Sequence, residues 1–428
     1  MPTDTAAPAI ARSGAPSPSD TAPDFPHWQR NLYVCLFGSF STGVAMTLLL
    51  PFLPLYLEQL GVQGHAALAQ WSGLAFAATF LSAGLAAPLW GRMADRYGRK
   101  LMLIRASLGM AITMALIGVV ANAWQLVALR LVAGLVGGYA SGSMVLVATQ
   151  TPKERTGWAL GTLSSGFMAG NLLGPLVGGS LPPLIGIRAT FFLAGGVIFI
   201  AFLATCFLIR ETRPVRAPVA AGAAPARSLW AQIPDRRPVL AMLLTGLLLT
   251  LAHMSVEPII TVYIAQLLPP GGPVTWYAGL AMSAGALGNI LAAPRLGKLA
   301  DRVGYHRVIV ACLLTAAVLL LPQAFVTNVW QLVGLRFLMG AALAGLLPCI
   351  TSVIRHSVPA AVAGGVLGYA TSSQYAGQVA GPLLGGLVGG HIGMRAVFLA
   401  TSALMVLGAV VAARSARQSA AVTNEIGR

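Results

Sequence analysis

The chain has 428 residues, 57% of them apolar and only 9% charged, with a mean hydropathy of +0.78. That is too hydrophobic for an ordinary soluble domain. The formal charge of +16 would suit a nucleic-acid binder, but the cations are distributed as a membrane protein distributes them, which excludes that class.

In chain order, residues 1–27 are rich in Ala, Pro, Ser and Thr, lack the apolar run of a signal peptide and read as a disordered cytoplasmic tail. Beyond them lie long runs free of Asp, Glu, Lys and Arg, among them 31–57, 156–187, 258–294 and 356–394. A spanning helix needs about 20 apolar residues to cross roughly 30 Å of hydrocarbon. Splitting the runs at their turn residues predicts twelve spans. They lie near 31–58, 71–90, 101–121, 124–148, 158–184, 189–209, 239–268, 275–296, 306–327, 330–355, 362–389 and 394–413. Residues 210–238, rich in Arg, Pro and Ala, read as a cytoplasmic linker between bundles at 28–209 and 239–413, and 414–428 as a second cytoplasmic tail.

Of the 27 Lys and Arg, only Arg105, Arg130, Arg188, Arg336 and Arg395 lie outside the tails, the even-numbered connections and their edges. Cations are retained on the cytoplasmic side, so both termini are expected there. The four cysteines, Cys35, Cys206, Cys312 and Cys349, fall in spans at no metal-ligand spacing and read as small core residues; no metal site is expected.

The chain repeats itself. "LAAPLWGRMADRYG" (85–98) returns as "LAAPRLGKLADRVG" (291–304), 206 residues later. "WQLVALRLVAG" (124–134) returns as "WQLVGLRFLMG" (330–340) at the same offset, and "AGNLLGPLVGG" (169–179) as "AGQVAGPLLGG" (376–386) at 207. A duplicated unit of six helices, an even number, inserts twice in the same orientation. Ligand sites in such parallel repeats lie between the halves near the midplane.

These stretches carry a family resemblance. Residues 91–103 resemble the loop 2–3 signature of the major facilitator superfamily, and Arg130 with Gly134 matches its helix-4 motif. "GNLLGPLVGG" (170–179) is similar to the glycine-proline motif of its drug:proton antiporters. The fold implied is an all-α membrane protein with twelve transmembrane helices in two pseudo-symmetric six-helix bundles. Residues 51–73, 94–110 and 156–164 also resemble a multidrug-resistance subfamily associated with small antimicrobials, including fosfomycin and deoxycholate. The activity implied is export of such compounds by proton antiport and alternating access, in the inner membrane of a bacterium. No cofactor beyond the proton gradient is implied. The partners are a small-molecule substrate, protons and the lipid bilayer, and the chain is expected to act as a monomer. Proton-coupled symport for uptake of a small metabolite is the alternative. An enzyme is not expected: there is no HExxH, no phosphate-binding glycine loop and no large extramembrane domain.

The motifs allow more than one role. Gly91 and Gly98 bracket a tight turn, repeated at Gly304, and the cations around it (Arg92, Arg96, Arg99 and Lys100) anchor orientation. Asp95 adds nothing to positive-inside bias. Either it sits in a solvated turn, or, as the resemblance implies, Asp95, Arg96 and Arg99 form a cytoplasmic gate with Asp301 and Arg302 as the mirror latch. Arg130 and Arg336 lie within helices, where charge is costly. They either snorkel to an interface or face a cavity, Arg130 as a proton-responsive or substrate-orienting cation facing helix 1. Glu257 is the sole carboxylate inside a predicted span, the others lying in loops, tails or helix ends; His253 lies one turn earlier and Pro258 should kink the helix. Hydrocarbon penalises an ionised carboxylate, so Glu257 is a candidate proton carrier assisted by His253. The competing reading is a neutral acid bonded to a carbonyl freed at the kink. Gly170, Gly174 and Gly178, with Gly179 and Pro175, permit close helix approach and a kink that seals the halves, as do Gly381 and Pro382. Asn171 on helix 5 and Gln374, Tyr375 and Gln378 on helix 11 are candidate cavity residues, with Arg336. The single internal acid beside internal arginines favours neutral or anionic compounds over dications.

Overall fold

The computed structural model describes residues 26–211, 232–233 and 235–426, and every regular element among them is helical. Residues 1–25 of the expected tail and most of the linker 210–238 lie outside the described residues. The first half comprises α1 (Trp28–Leu48), α2 (Leu53–Gln59), α3 (His65–Tyr97), α4 (Arg99–Ile117), α5 (Ala123–Val136), α6 (Tyr139–Gln150), α7 (Thr156–Ile185) and α8 (Ile187–Leu208). The second comprises α9 (Arg236–Val256), α10 (Ile260–Leu267), α11 (Val274–Val303), α12 (Tyr305–Gln323), α13 (Val329–Leu343), α14 (Leu346–His356), α15 (Ala360–His391) and α16 (Met394–Ile426).

Among the described residues, nine helical stretches are long and apolar enough to cross a bilayer. The helices α7, α11 and α15 have the length, at 30, 30 and 32 residues, but their Gly, Ser and Pro content lowers their hydropathy. Four predicted spans are interrupted. The first breaks between Leu48 and Leu53, at Pro51; the fourth at Gly137–Gly138, the tenth at Ala344–Gly345. The seventh becomes a 3-10 turn at Glu257–Ile259, where Pro258 cannot donate to the helical ladder. The last helix does not stop at 413 but runs to Ile426, through an Ala-rich stretch that favours helix.

The duplication is visible in the packing. The Tyr56 hydroxyl donates to the Ile117 carbonyl and packs on Phe191; 206–207 residues on, Tyr263 donates to Gln323 and packs on Phe398. Edge-to-face pairs Trp71–Trp124 and Tyr277–Trp330 brace α3 on α5 and α11 on α13. Gly98 and Gly304 both turn the chain with φ near +100°, a conformation other residues rarely adopt.

Helix direction follows from which glycines meet which backbones. Gly43 to Leu48 of α1 meet Gly170 to Gly178 of α7 in the same order, and Leu247 to Ser255 of α9 meet Gly377 to Gly385 of α15 likewise, so both pairs are parallel. Ala66, Ala69 and Gly73 of α3 meet Gly390, Gly386 and Pro382 of α15 in reverse order, and Thr275 and Gly279 of α11 meet Gly179 and Pro175 of α7 likewise. These antiparallel pairs join the halves and put the Gly98 and Gly304 turns at one end of the molecule, here called the basic end. At that end the pairs have separated: a Cβ added at Gly91, Gly297, Gly157, Gly161, Gly364 or Gly368 would meet open space. The halves are therefore sealed at one end and splayed at the other.

Candidate functional site

The site is built where the splayed halves converge. α1, α3, α5 and α7 from one half and α9, α11, α13 and α14 from the other enclose a cavity of about 490 Å³. Its lining is mostly apolar, with five methionines (Met46, Met168, Met254, Met282 and Met339) and three phenylalanines (Phe76, Phe80 and Phe167). The polar groups are few: Thr47, Arg130, Asn171, Thr250, His253, Glu257, Asn289 and Arg336.

Glu257 owes its position to the interruption at Pro258, which ends α9 one turn beyond His253 and leaves the carboxylate at the cavity wall. Its Oε1 lies 3.6 Å from Arg336 Nη1 and 4.0 Å from His253 Nε2, and its side chain is 12% exposed. The alternative partner, a carbonyl freed by the proline, takes no hydrogen bond from it among the described residues.

Neither internal arginine snorkels. Arg130 and Arg336 are 2% and 6% exposed. Arg130 is held against α3, where its Nε donates to the Ala75 carbonyl at 3.4 Å and its guanidinium lies over the Phe76 ring, and it lines the cavity together with Met46 and Thr47 of α1. The reason is that α5 packs along α3, where Thr79 also bonds back to the Arg130 carbonyl. Arg130 Nη1 is buried without a hydrogen-bond partner, as are Nε and Nη2 of Arg336.

The duplication makes the two arginines equivalent and their surroundings unequal. The positions matching His253 and Glu257 in the first half are Met46 and Leu50, both in the same cavity wall. Arg336 thus has a carboxylate, and its twin Arg130 has an apolar side chain in the corresponding place.

Asn171 lines the cavity; Gln374, Tyr375 and Gln378 do not. Around them this stretch of α15 packs on α9 and α3. The Gln374 carbonyl accepts from Thr250 on α9, the Ser373 hydroxyl donates to Leu243, and Tyr375 covers Gly84 on α3.

The glycine-proline stretches divide their work between neighbouring glycines. Gly170, Gly174 and Gly178 lie against the α1 backbone, whereas Gly179 and the Pro175 carbonyl meet Thr275 and Gly279 of the other half. In the second half Gly381 and Gly385 lie against α9, and Gly386 and the Pro382 carbonyl meet Ala69 and Gly73. The cross-half partners Gly73 and Gly279 were missed in the sequence. The signal was available: "WSGLAFA" (71–77) and "YAGLAMS" (277–283) share the 206 offset. Ser283 adds a hydrogen bond of 2.7 Å to the Leu172 carbonyl across the same seam.

At the basic end, Asp95 pairs with Arg99 within one turn and Arg96 lies over Tyr97, both inside the first half. Asp301 accepts a hydrogen bond of 2.8 Å from the Tyr305 hydroxyl. Neither pair crosses to the other half. Glu211, not anticipated, accepts from the Arg99 and Lys100 amides and caps α4 where the helix dipole is positive.

The model described as Major Facilitator Superfamily matches residues 35–274 and 275–425. The multidrug resistance protein MdtG of Dickeya zeae (strain Ech586) is 44% identical over 391 residues, covering 91% of this chain and 95% of its own. The MdtG of Salmonella typhimurium is 43% identical over 403 residues, covering 94% and 98%. Among solved structures, the nucleoside transporter NupG superposes with a TM-score of 0.73 at 14% identity, covering 91% and 98%. A bacterial homolog of the human lysosomal transporter Spinster gives 0.73 at 14%, covering 92% and 98%.

Proposed function

This chain belongs to the major facilitator superfamily, and from that premise we propose that it exports small antimicrobial compounds across a bacterial inner membrane by proton antiport. It is a transporter and not an enzyme. We read it as a monomer of twelve spans with both termini in the cytoplasm. The observation that carries the reading is the cavity wall of methionine and phenylalanine with few polar groups. Thioether side chains are flexible and polarizable, so such a wall adapts to ligands of differing shape. The names of the MdtG relatives agree with this.

The basic end is cytoplasmic under the positive-inside rule, so the state described is inward-open and takes its ligand from the cell interior. In the proposed cycle the seal at Gly73, Gly179, Gly279 and Gly386 opens as the basic end closes. The turns carrying Gly91, Asp95, Arg96, Gly98 and Arg99, with Asp301, Arg302 and Gly304 opposite, then latch the halves. Glu257 takes a proton while the cavity faces outward, with His253 as its relay, and gives it up to the cytoplasm in the state described. Arg130 orients the ligand.

The test is expression in a pump-deficient bacterium with an antimicrobial panel, comparing the wild type with Glu257→Gln and Arg130→Ala. Resistance should fall in both variants at equal membrane abundance, and Glu257→Gln should lose its dependence on external pH. Normal export by Glu257→Gln with an intact pH response would remove Glu257 from the coupling step. Accumulation of a compound with inward proton flow would instead favour the symport alternative.

A further inference from the structure

The duplicated arginines provide an internal comparison. Arg130 and Arg336 occupy equivalent positions in α5 and α13, are both buried and line the same cavity. Their partners differ: Arg336 faces Glu257 at 3.6 Å, whereas Arg130 donates to the Ala75 carbonyl and the position matching Glu257 in its half is Leu50. From this asymmetry we infer that Arg336 is the positioning residue for the proton step: it fixes the Glu257 carboxylate at the cavity wall and sets the proton activity at which that carboxylate is discharged. The inference rests on the proposed role of Glu257 as proton carrier.

Geometry supports the assignment. The pair joins α13 to the turn that ends α9, so it bridges two helices of one half and does not cross the moving seam. Arg336 makes no other ion pair among the described residues, and its Nε and Nη2 have no hydrogen-bond partner, so its charge is not engaged by another acid. His253, from Glu257's own helix, is the second titratable group in reach, at 4.0 Å. The helices α3, α10 and α15 also pack on the turn, and no described ion pair reaches Glu257 from them. A nearby cation favours the charged form of a carboxylate. Ionised Glu257 and charged Arg336 hold each other in place, and protonating Glu257 leaves Arg336, like Arg130, without an acidic partner. The cavity then carries two guanidiniums without a counter-charge, so proton uptake changes its net charge by one unit.

The test needs no ligand. In purified protein reconstituted in lipid, infrared difference spectroscopy follows the carbonyl band of a protonated carboxylic acid as pH is lowered. The Glu257 contribution is the band absent from Glu257→Gln. Arg336→Gln should move the midpoint of that band to higher pH by at least about one unit, and Arg336→Lys, a compact hydrated charge without the planar fork, by less. Arg130→Gln should move it less than Arg336→Gln does. If Arg336→Gln does not fold, Arg336→Met, which keeps the stem length, carries the same expectation. A midpoint unmoved by loss of Arg336, or moved equally by loss of either arginine, overturns the inference while leaving Glu257 as carrier. If no Glu257-dependent band appears at any pH, the proton-carrier reading itself fails, and this inference with it.

Discussion

Burial of a charge is informative because it is costly. Arg130 loses its hydration and receives one long hydrogen bond and a ring face in return. A site kept for ligand handling at a cost in stability should become more stable when the charge is removed. Arg130→Met is therefore expected to raise thermal stability in detergent, on the order of 1 kcal/mol, while lowering export at least about tenfold. Parallel melting and efflux measurements check this, and a destabilised variant with normal export would reverse the assignment. Glu211 is the opposite case. It satisfies two amides at the start of α4 beside the Gly98 turn and lies outside the cavity. Glu211→Gln should lower stability by about 1–2 kcal/mol with the ligand profile unchanged, which a melting curve and the same antimicrobial panel will test.

Adjacent glycines in one helix serve different partners. A Cβ on Gly178 would collide with the Leu48 carbonyl inside the first half, and a Cβ on Gly179 with the Thr275 carbonyl of the second. Gly178→Ala should therefore reduce folding yield and melting temperature, because its half cannot relax without moving α1. Gly179→Ala should leave the half intact and push the halves apart at the sealed end. Maleimide labelling of a cysteine at Thr275 should rise in Gly179→Ala and stay at background in Gly178→Ala. The native cysteines give a low background for this, since Cys35, Cys312 and Cys349 are buried and Cys206 half-buried. Equal effects of the two alanines would mean that α7 does not divide its two faces in this way.

For the whole molecule, the separation of α3 from α15 and of α7 from α11 at the basic end predicts side-specific access. Cysteines placed at Gly157 and Gly364, where a Cβ meets open space, should react with a membrane-impermeant maleimide in inverted vesicles. The same reagent added to intact cells should leave them unmodified. Reaction from outside would invert the assigned topology, and with it the direction of export.

Much of this was legible in the linear chain because its causes are local. Apolar run length marks the spans, and the 206–207 offset matches the paired contacts of Tyr56 and Tyr263; Pro258 alone predicts the break beside Glu257. The juxtaposition of His253 with Glu257 was legible too, since four residues make one helical turn. The pairing of Glu257 with Arg336 was not, because 79 residues separate them in the sequence and only the packing of α13 on α11 brings the arginine to the wall. The same limit applies to Gln374 and Tyr375, which lie outside the described cavity: polarity on a helix does not say which surface it faces. Composition and repetition determined the architecture, since lipid leaves a chain few ways to satisfy its backbone. Which faces of those helices meet, and therefore which arginine acquires a carboxylate, was decided only by how the two bundles pack.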